Sequence, residues 1–219
     1  MKSYDIILFD LDGTITDSAP GITNSVVYAL KKYGIQETDY EKLCKFIGPP
    51  LADSFQEYYG FSKEQSLEAV KYYREYYSDK GIFENSVYGG FEEVVKKLKE
   101  RGKQLAVATS KPEPFAGRII EHFGLAPYFD CVAGMELDGG RGTKAEVIQY
   151  ALDMCRVRDK EKVLMVGDRR HDVMGARSAG IDCLGVLYGF GTREELEEAG
   201  ADYIAETVGE ILDFISEEK

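Results

Sequence analysis

The chain is short of positive charge: 27 lysines and arginines face 39 aspartates and glutamates, a formal net charge of -12 over 219 residues. That balance argues against nucleic acid or an anionic membrane surface as a general partner, and an anionic substrate then needs a local positive patch. Long apolar runs are also missing. No stretch reaches the roughly 20 residues that span a bilayer, and no cationic segment leads into an apolar one at the start, so a soluble cytoplasmic protein is expected. Cys44, Cys131, Cys155 and Cys183 lack CxxC spacing, and reduced, buried thiols are the simplest reading. His122 and His171 offer no paired ligand spacing, and His171 is expected on a solvent-facing loop. No internal repeat or low-complexity tract occurs.

What is present begins with 44% apolar content, enough for a substantial core in one domain, or in one domain and a smaller companion. The short apolar run Ile6-Ile7-Leu8-Phe9 leads directly into Asp10-Leu11-Asp12-Gly13-Thr14. An aspartate at the carboxyl end of a strand in an open α/β sheet stands where such folds bind ligands. Asp12 can then serve Asp10 as its proton-transfer partner, so nucleophile and acid/base come as one cassette. A calcium loop starting at Asp10 would need Gly sixth and Glu twelfth, but Ile15 and Gly21 stand there. A plain chain reversal at Gly13 is the remaining rival.

Matching chemistry further along decides between them. Val163-Leu164-Met165-Val166-Gly167 ends in Asp168-Arg169-Arg170-His171-Asp172, and a helix starting in that loop would bring Asp168 and Asp172 to one side of its first turn. Four acids around one point repel each other, so a cation is expected. A small set of hard oxygen ligands with phosphate as co-ligand suits Mg²⁺. A third strand candidate, Gln104 to Ala108, ends at Thr109-Ser110-Lys111-Pro112, where a hydroxyl could bond a phosphate oxygen or simply cap a helix. Gly139-Gly140-Arg141-Gly142-Thr143-Lys144 precedes a helical pattern and differs from a Walker loop, because Thr143 separates Gly from Lys. Lys144 at a helix start opposes the dipole, and an anionic partner would remove that conflict.

With these motifs in this order, the chain resembles the haloacid dehalogenase superfamily of aspartate-nucleophile hydrolases across nearly its whole length. Asp17-Ser18, Ile47-Gly48-Pro49-Pro50-Leu51 and Val186-Leu187-Tyr188-Gly189-Phe190-Gly191 look like its phosphoglycolate phosphatase branch, which also holds nucleotide and pyrophosphate phosphatases. Ala145 and Ser110 depart from the frequent Pro and Asn of relatives. The resemblance implies that Asp10 attacks phosphorus and that Asp12 protonates the leaving oxygen, then activates water. It implies Mg²⁺ held by Asp10, Asp168 and the main-chain carbonyl of Asp12, with Asp172 as ligand or acting through water. Thr109, with Ser110 beside it, and Lys144 would hold the non-transferring oxygens.

Strand candidates near 4–9, 104–109, 129–133, 162–166 and 182–186 alternate with helical patterns, which predicts an α/β fold built on a doubly wound parallel sheet. The first gap is far longer than a crossover helix needs. Asp17-Ser18 is expected to cap a helix that stops at Gly34, with further helices near 40–46, 51–59 and 63–79. An inserted α-helical domain over 16–84 is the natural reading, with the Rossmann-like core formed by 1–15 and 85–219; the resemblance makes the insert a mobile cap. Lys45, Gly48 and Pro49, with Phe46, are the candidate specificity loop, or else a simple interhelix turn. The stripe Tyr72, Tyr73, Tyr76 and Tyr77 reads as core packing with polar tips at the surface. Thr192–Glu198 and Glu206–Glu218 read as charged helices.

Three classes of function fit. A Mg²⁺-dependent phosphomonoesterase acting on a small phosphorylated metabolite comes first, with phosphoglycolate-like, 5'-nucleotide and pyrophosphate substrates all admissible. A phosphomutase uses the same two aspartates, and free phosphate release separates the two. A non-enzymatic phosphoacceptor is the third, though such domains carry no insert of this size. Asp12 speaks against a true dehalogenase. A monomer or small homo-oligomer is expected.

Overall fold

The computed structural model describes residues 2–137 and 140–215, so Gly139 of the glycine-rich run lies outside the described residues. The strands, in chain order, are β1 (Ile6–Phe9), β2 (Thr16–Asp17), β3 (Ser86–Val87), β4 (Gln104–Pro112), β5 (Cys131–Met135), β6 (Val163–Gly167), β7 (Asp182–Val186) and β8 (Tyr203–Ala205). The helices are α1 (Ala19–Lys32), α2 (Tyr40–Cys44), α3 (Leu51–Tyr59), α4 (Lys63–Tyr77), α5 (Phe91–Glu100), α6 (Glu113–His122), α7 (Lys144–Met154), α8 (Arg170–Ala179), α9 (Arg193–Ala199) and α10 (Ile211–Phe214).

The chain forms two units, Met1–Thr16 with Val87–Lys219, and Asp17–Ser86. The first holds a parallel six-stranded sheet of order β5-β4-β1-β6-β7-β8. Strand order reverses at β1, which makes a crevice at the carboxyl ends of β1 and its neighbours. Register brings those ends level: Phe9 stands beside Val107 on one side and Val166 on the other. β1 and β6 are apolar almost throughout because helices cover both faces of the sheet. On one face Leu8, Ala106 and Met165 pack with Val147, Ile148 and Ala151 of α7 and Val173 and Ala176 of α8. Elsewhere in the core Phe9 meets Phe91 edge to face at 5.3 Å, and Phe91, Val94, Val95 and Leu98 form the buried stripe of α5.

The second unit is helical, α1 to α4. Gly21 and Gly81 let two backbones meet: a Cβ on Gly21 would lie 1.9 Å from the Gly81 carbonyl oxygen. α4 starts with a reciprocal cap between Ser62 and Gln65. Phe46, Phe55 and Phe61 form an aromatic centre. The tyrosine stripe divides as expected, Tyr73 and Tyr77 buried, Tyr72 and Tyr76 bonding Glu68 and Glu84 at its margin.

Several local expectations are corrected. Ser18 occupies the cap position of α1 but its buried hydroxyl bonds nothing, and the Asp17 carboxylate accepts from Ala19 N instead. Glu206 to Glu210 are not helical, because Glu210 turns back to accept from Glu206 N and Thr207 Oγ1; α10 begins only at Ile211, and residues beyond 215 lie outside the described ones. A further strand, β8, extends the sheet beside β7.

Candidate active site

Asp10 follows β1 directly, and its amide donates to Val166 O of β6 at 2.9 Å, so the sheet itself fixes its backbone. From the next helix on that face, Lys144 reaches across: its Nζ lies 2.6 Å from Asp10 Oδ1 and 2.6 Å from Asp172 Oδ1. The start of α7 is set by Thr143 and Glu146, each side chain bonding the other's amide. Lys144 thus finds the anionic partners that a cation at a helix start requires.

Asp168 follows β6 and is wholly buried. Its Oδ2 accepts from Phe190 N at 2.7 Å and its Oδ1 from Thr14 Oγ1 at 3.4 Å. Backbone closes tightly around it: a Cβ on Gly13, where φ is +86°, would lie 2.2 Å from Asp168 Oδ2, and one on Gly191 would lie 1.9 Å from Asp168 O. Only glycine fits such approaches. Asp172, in the first turn of α8, accepts from Arg169 N at 3.0 Å. Asp168 itself precedes the helix, so the pair converges through the loop and not along a helical face.

Carboxylate oxygens of Asp10, Asp168 and Asp172 lie within 4.8 Å of one another. Burial pushes Asp10 up to about 6, with Lys144 working against that rise and Asp172 adding to it. Burial, then Asp172 and Asp10, raise Asp168 well above the ordinary carboxylate range. Lys144 is opposed by its own burial, yet Asp10 and Asp172 outweigh that and hold its pKa above the usual lysine value. Three buried acids with one lysine leave negative charge uncompensated, and all the donors are hard oxygens. Such a set fits Mg²⁺.

The side chain of Asp12 is not part of this cluster. Its Oδ2 pairs with Lys111 Nζ at 2.7 Å, both groups largely buried. The register of β4 against β5 is irregular between Ala108 and Pro112; there Thr109 Oγ1 accepts from Lys111 N at 3.2 Å, Thr109 and Lys111 are buried, and Ser110 is half-buried. Sequence reasoning treated Lys111 as part of a loop into the next helix, whereas β4 continues to Pro112. No local signal marks Lys111, because the strand is irregular between Ala108 and Pro112 and its partner Asp12 is distant in the chain. Tyr188, whose hydroxyl donates to Thr14 O at 3.0 Å, and Phe190 were likewise read only as part of a resemblance. His171 is a correction: it lies in the first turn of α8, half-buried, with a buried Nδ1 that has no hydrogen-bond partner, and burial followed by Arg170 and Arg169 lowers its pKa. Lys45, Gly48 and Pro49 join α2 to α3 in the helical unit, Gly48 at φ +105° and Lys45 Nζ 5.8 Å from the Tyr58 ring centre.

At this one switch point the parallel sheet therefore gathers Asp10 and Asp12 after β1, the Lys144 bridge from Asp10 to Asp172, and the acidic loop after β6. Residues 7–186 match the family model described as haloacid dehalogenase-like hydrolase, and the chain belongs to that family. It is 48% identical over 193 residues to a 5'-nucleotidase of Pseudomonas aeruginosa, covering 88% of this chain and 87% of that one. It is 38% identical to the tyrosine-protein kinase PtkA of Mycobacterium tuberculosis, over 96% of this chain and 72% of the other. Among solved structures, a predicted phosphatase from Clostridium acetobutylicum superposes with a TM-score of 0.92 at 50% identity, covering 97% and 98% of the two chains. More distant relatives carry the names pyrophosphatase PpaX (Halalkalibacterium halodurans, 29%) and phosphoglycolate phosphatase 1 (P. aeruginosa, 28%). The chain is a phosphatase of this family, a hydrolase of phosphoric monoester bonds. Among the described residues no helix is long and apolar enough to cross a membrane.

Proposed function

We propose that the chain is a Mg²⁺-dependent phosphomonoesterase that works through an aspartyl-phosphate on Asp10 and acts on a small phosphorylated metabolite. The observation that carries this reading is the separate pairing of the two cassette aspartates, Asp10 with Lys144 and Asp12 with Lys111. Two carboxylates two residues apart are thereby held in different settings, as nucleophile and proton carrier must be. Asp10 Oδ attacks phosphorus and the P–O bond to the leaving group breaks. Asp12 gives its proton to the departing oxygen, then takes one from the water that cleaves the acyl phosphate. Thr109 and Lys144 are suited to the non-transferring oxygens, and Ser110 borders them. Asp10, Asp168 and the main-chain carbonyl of Asp12, with Asp172 directly or through water, are the groups that would hold Mg²⁺. When bound, the ion neutralises charge on the phosphoryl oxygens. Phosphoryl transfer needs positioning and electrostatics above all.

For the substrate, nucleoside 5'-monophosphates stand first, since the relative at 48% identity is named a 5'-nucleotidase whereas relatives named for phosphoglycolate are at 28% and 26%. The Lys45, Gly48 and Pro49 loop is the candidate for leaving-group selection. The test is a phosphate-release panel with Mg²⁺ over 5'-nucleotides, phosphoglycolate, pyrophosphate and sugar phosphates, beside Asp10→Asn. We expect free phosphate from at least one ester class and none from the variant. Absence of phosphate from every compound, transfer of the phosphoryl group back to a sugar, or an active Asp10→Asn would overturn the proposal.

A further inference from the structure

We propose that Lys111 is a positioning residue for the leaving-group step: by binding one oxygen of Asp12 it presents the other to the ester oxygen that departs. This rests on the phosphomonoesterase reading above. A carboxyl group turns about its last torsion over a broad, two-fold profile, so an untethered Asp12 would spread its proton over many directions. Lys111 Nζ holds Oδ2 at 2.7 Å, with the lysine side chain 6% exposed and the aspartate 14%. Asp12 Oδ1 is buried and meets no protein donor or acceptor. One oxygen is tethered and its twin is presented.

The tether is itself rigid. Lys111 is fixed in the last part of β4, its amide bonded to Thr109 Oγ1, while Gly13 N bonds Thr16 O and Thr14 to Thr16 fold back on Leu11 O behind Asp12. A buried lysine opposite a largely buried acid carries a desolvation cost that a solvated loop cation would avoid, and presentation of Oδ1 is what the arrangement gains. In the step itself, Asp10 Oδ forms the new P–O bond and the electron pair of the old one goes to the leaving oxygen. The proton on Asp12 Oδ1 follows it, leaving Asp12 as carboxylate beside the Lys111 ammonium. Charge and atoms balance, and no other reactant enters.

The test compares two leaving groups. p-Nitrophenolate departs with little need of a proton, whereas an alkoxide needs one. For Lys111→Met, kcat/KM, which reports the steps through leaving-group departure, is measured with p-nitrophenyl phosphate and with the best alkyl ester of the panel, in Mg²⁺. Because general acid catalysis contributes about 10²–10⁴-fold, the alkyl ester should lose at least about tenfold more than the aryl one. Lys111→Arg, which keeps the charge, should bring the ratio back toward that of the unaltered protein. Equal losses for both esters in Lys111→Met mean that Lys111 serves phosphate binding or folding, and the proposal falls; it falls likewise if Lys111→Arg keeps the selective loss seen in Lys111→Met. An unaltered protein that releases phosphate from neither ester instead brings down the phosphatase reading on which it depends.

Discussion

Replacing Lys144 by methionine removes a cation that touches Asp10 and Asp172 together, each at 2.6 Å. Breaking a buried pair by deleting one partner costs about 3–5 kcal/mol, because the abandoned charge stays in a poor solvent. Here two carboxylates lose their partner, so the upper half of that range is expected at pH 8 without added metal. Unfolding of a chain this size shifts by about 2–4 °C per kcal/mol, which makes the loss on the order of 8–20 °C. The penalty also depends on pH. Asp10 holds its proton up to about 6 in the folded state against an ordinary 3.8, so the folded chain binds that proton more tightly than the unfolded one. Stability therefore falls as pH rises through that window. Without Lys144 the window moves upward and the fall deepens, so Lys144→Met should lie nearer the unaltered protein at pH 5 than at pH 8. Mg²⁺ should recover more stability in the variant than in the unaltered chain, since the ion supplies positive charge where the lysine did. Thermal and urea unfolding at both pH values, in chelator and in Mg²⁺, measure all of this. A loss under about 1 kcal/mol at pH 8, against the range above, or an equal loss at both pH values, would refute the picture of a charge-starved cluster.

Gly191→Ala puts a Cβ 1.9 Å from the Asp168 carbonyl oxygen, so backbone must move; about 1–3 kcal/mol of stability and most Mg²⁺ affinity should be lost together, as unfolding and calorimetry would show. Phe55→Ala empties the aromatic centre between Phe46 and Phe61, at ring distances of 4.9 and 5.8 Å, and should cost about 3–5 kcal/mol. Amide exchange should then quicken in α2 to α4 and not in the six-stranded sheet, and equal quickening in both would contradict the division into two units. Glu37 is held down to about 2 by the Asp39 amide, Lys42 and Tyr59, so its carboxylate stabilises the fold above its ordinary value near 4.5 and ceases to do so as pH falls toward 2. Glu37→Gln should therefore lower the urea midpoint at pH 7, with the difference narrowing below about pH 4.5 and closing only toward pH 2; a constant difference would show that charge is not the cause.

Much of the sheet is legible because buried parallel strands are apolar throughout. The runs before Asp10 and Asp168 and the run Leu105 to Ala108 announce themselves by composition. β8 does not: Tyr203–Ala205 is short and half-exposed, and it becomes a strand only by pairing with β7. Of the acids of the site, Asp10 and Asp168 are visible because each ends an apolar run, and Asp12 and Asp172 because they stand two and four residues further on. Its lysines are harder to see. Lys144 carries a local contradiction, a cation at a helix start, that calls for an explanation. Lys111 carries none, since a lysine before proline reads as a loop residue, and its partner is far away in the chain. His171 misleads in the opposite sense, because charged neighbours suggest solvent where the first turn of α8 provides half-burial. Which of two adjacent residues caps α1, Asp17 or Ser18, depends on side-chain torsions that composition does not record.

Asp17–Ser86 leaves the parent sheet and returns to it through two short strands that lie side by side, β2 and β3. Asp10, Asp12, Thr109, Lys111, Lys144, Asp168 and Asp172 all belong to the other segment of the chain. The two joints, Thr16–Asp17 and Ser86–Val87, are therefore neighbours, and exchanging the helical block there would sever no strand of the six-stranded sheet. In such a chimera a changed ester preference would support the role proposed for the Lys45, Gly48 and Pro49 loop, and an unchanged one would count against it.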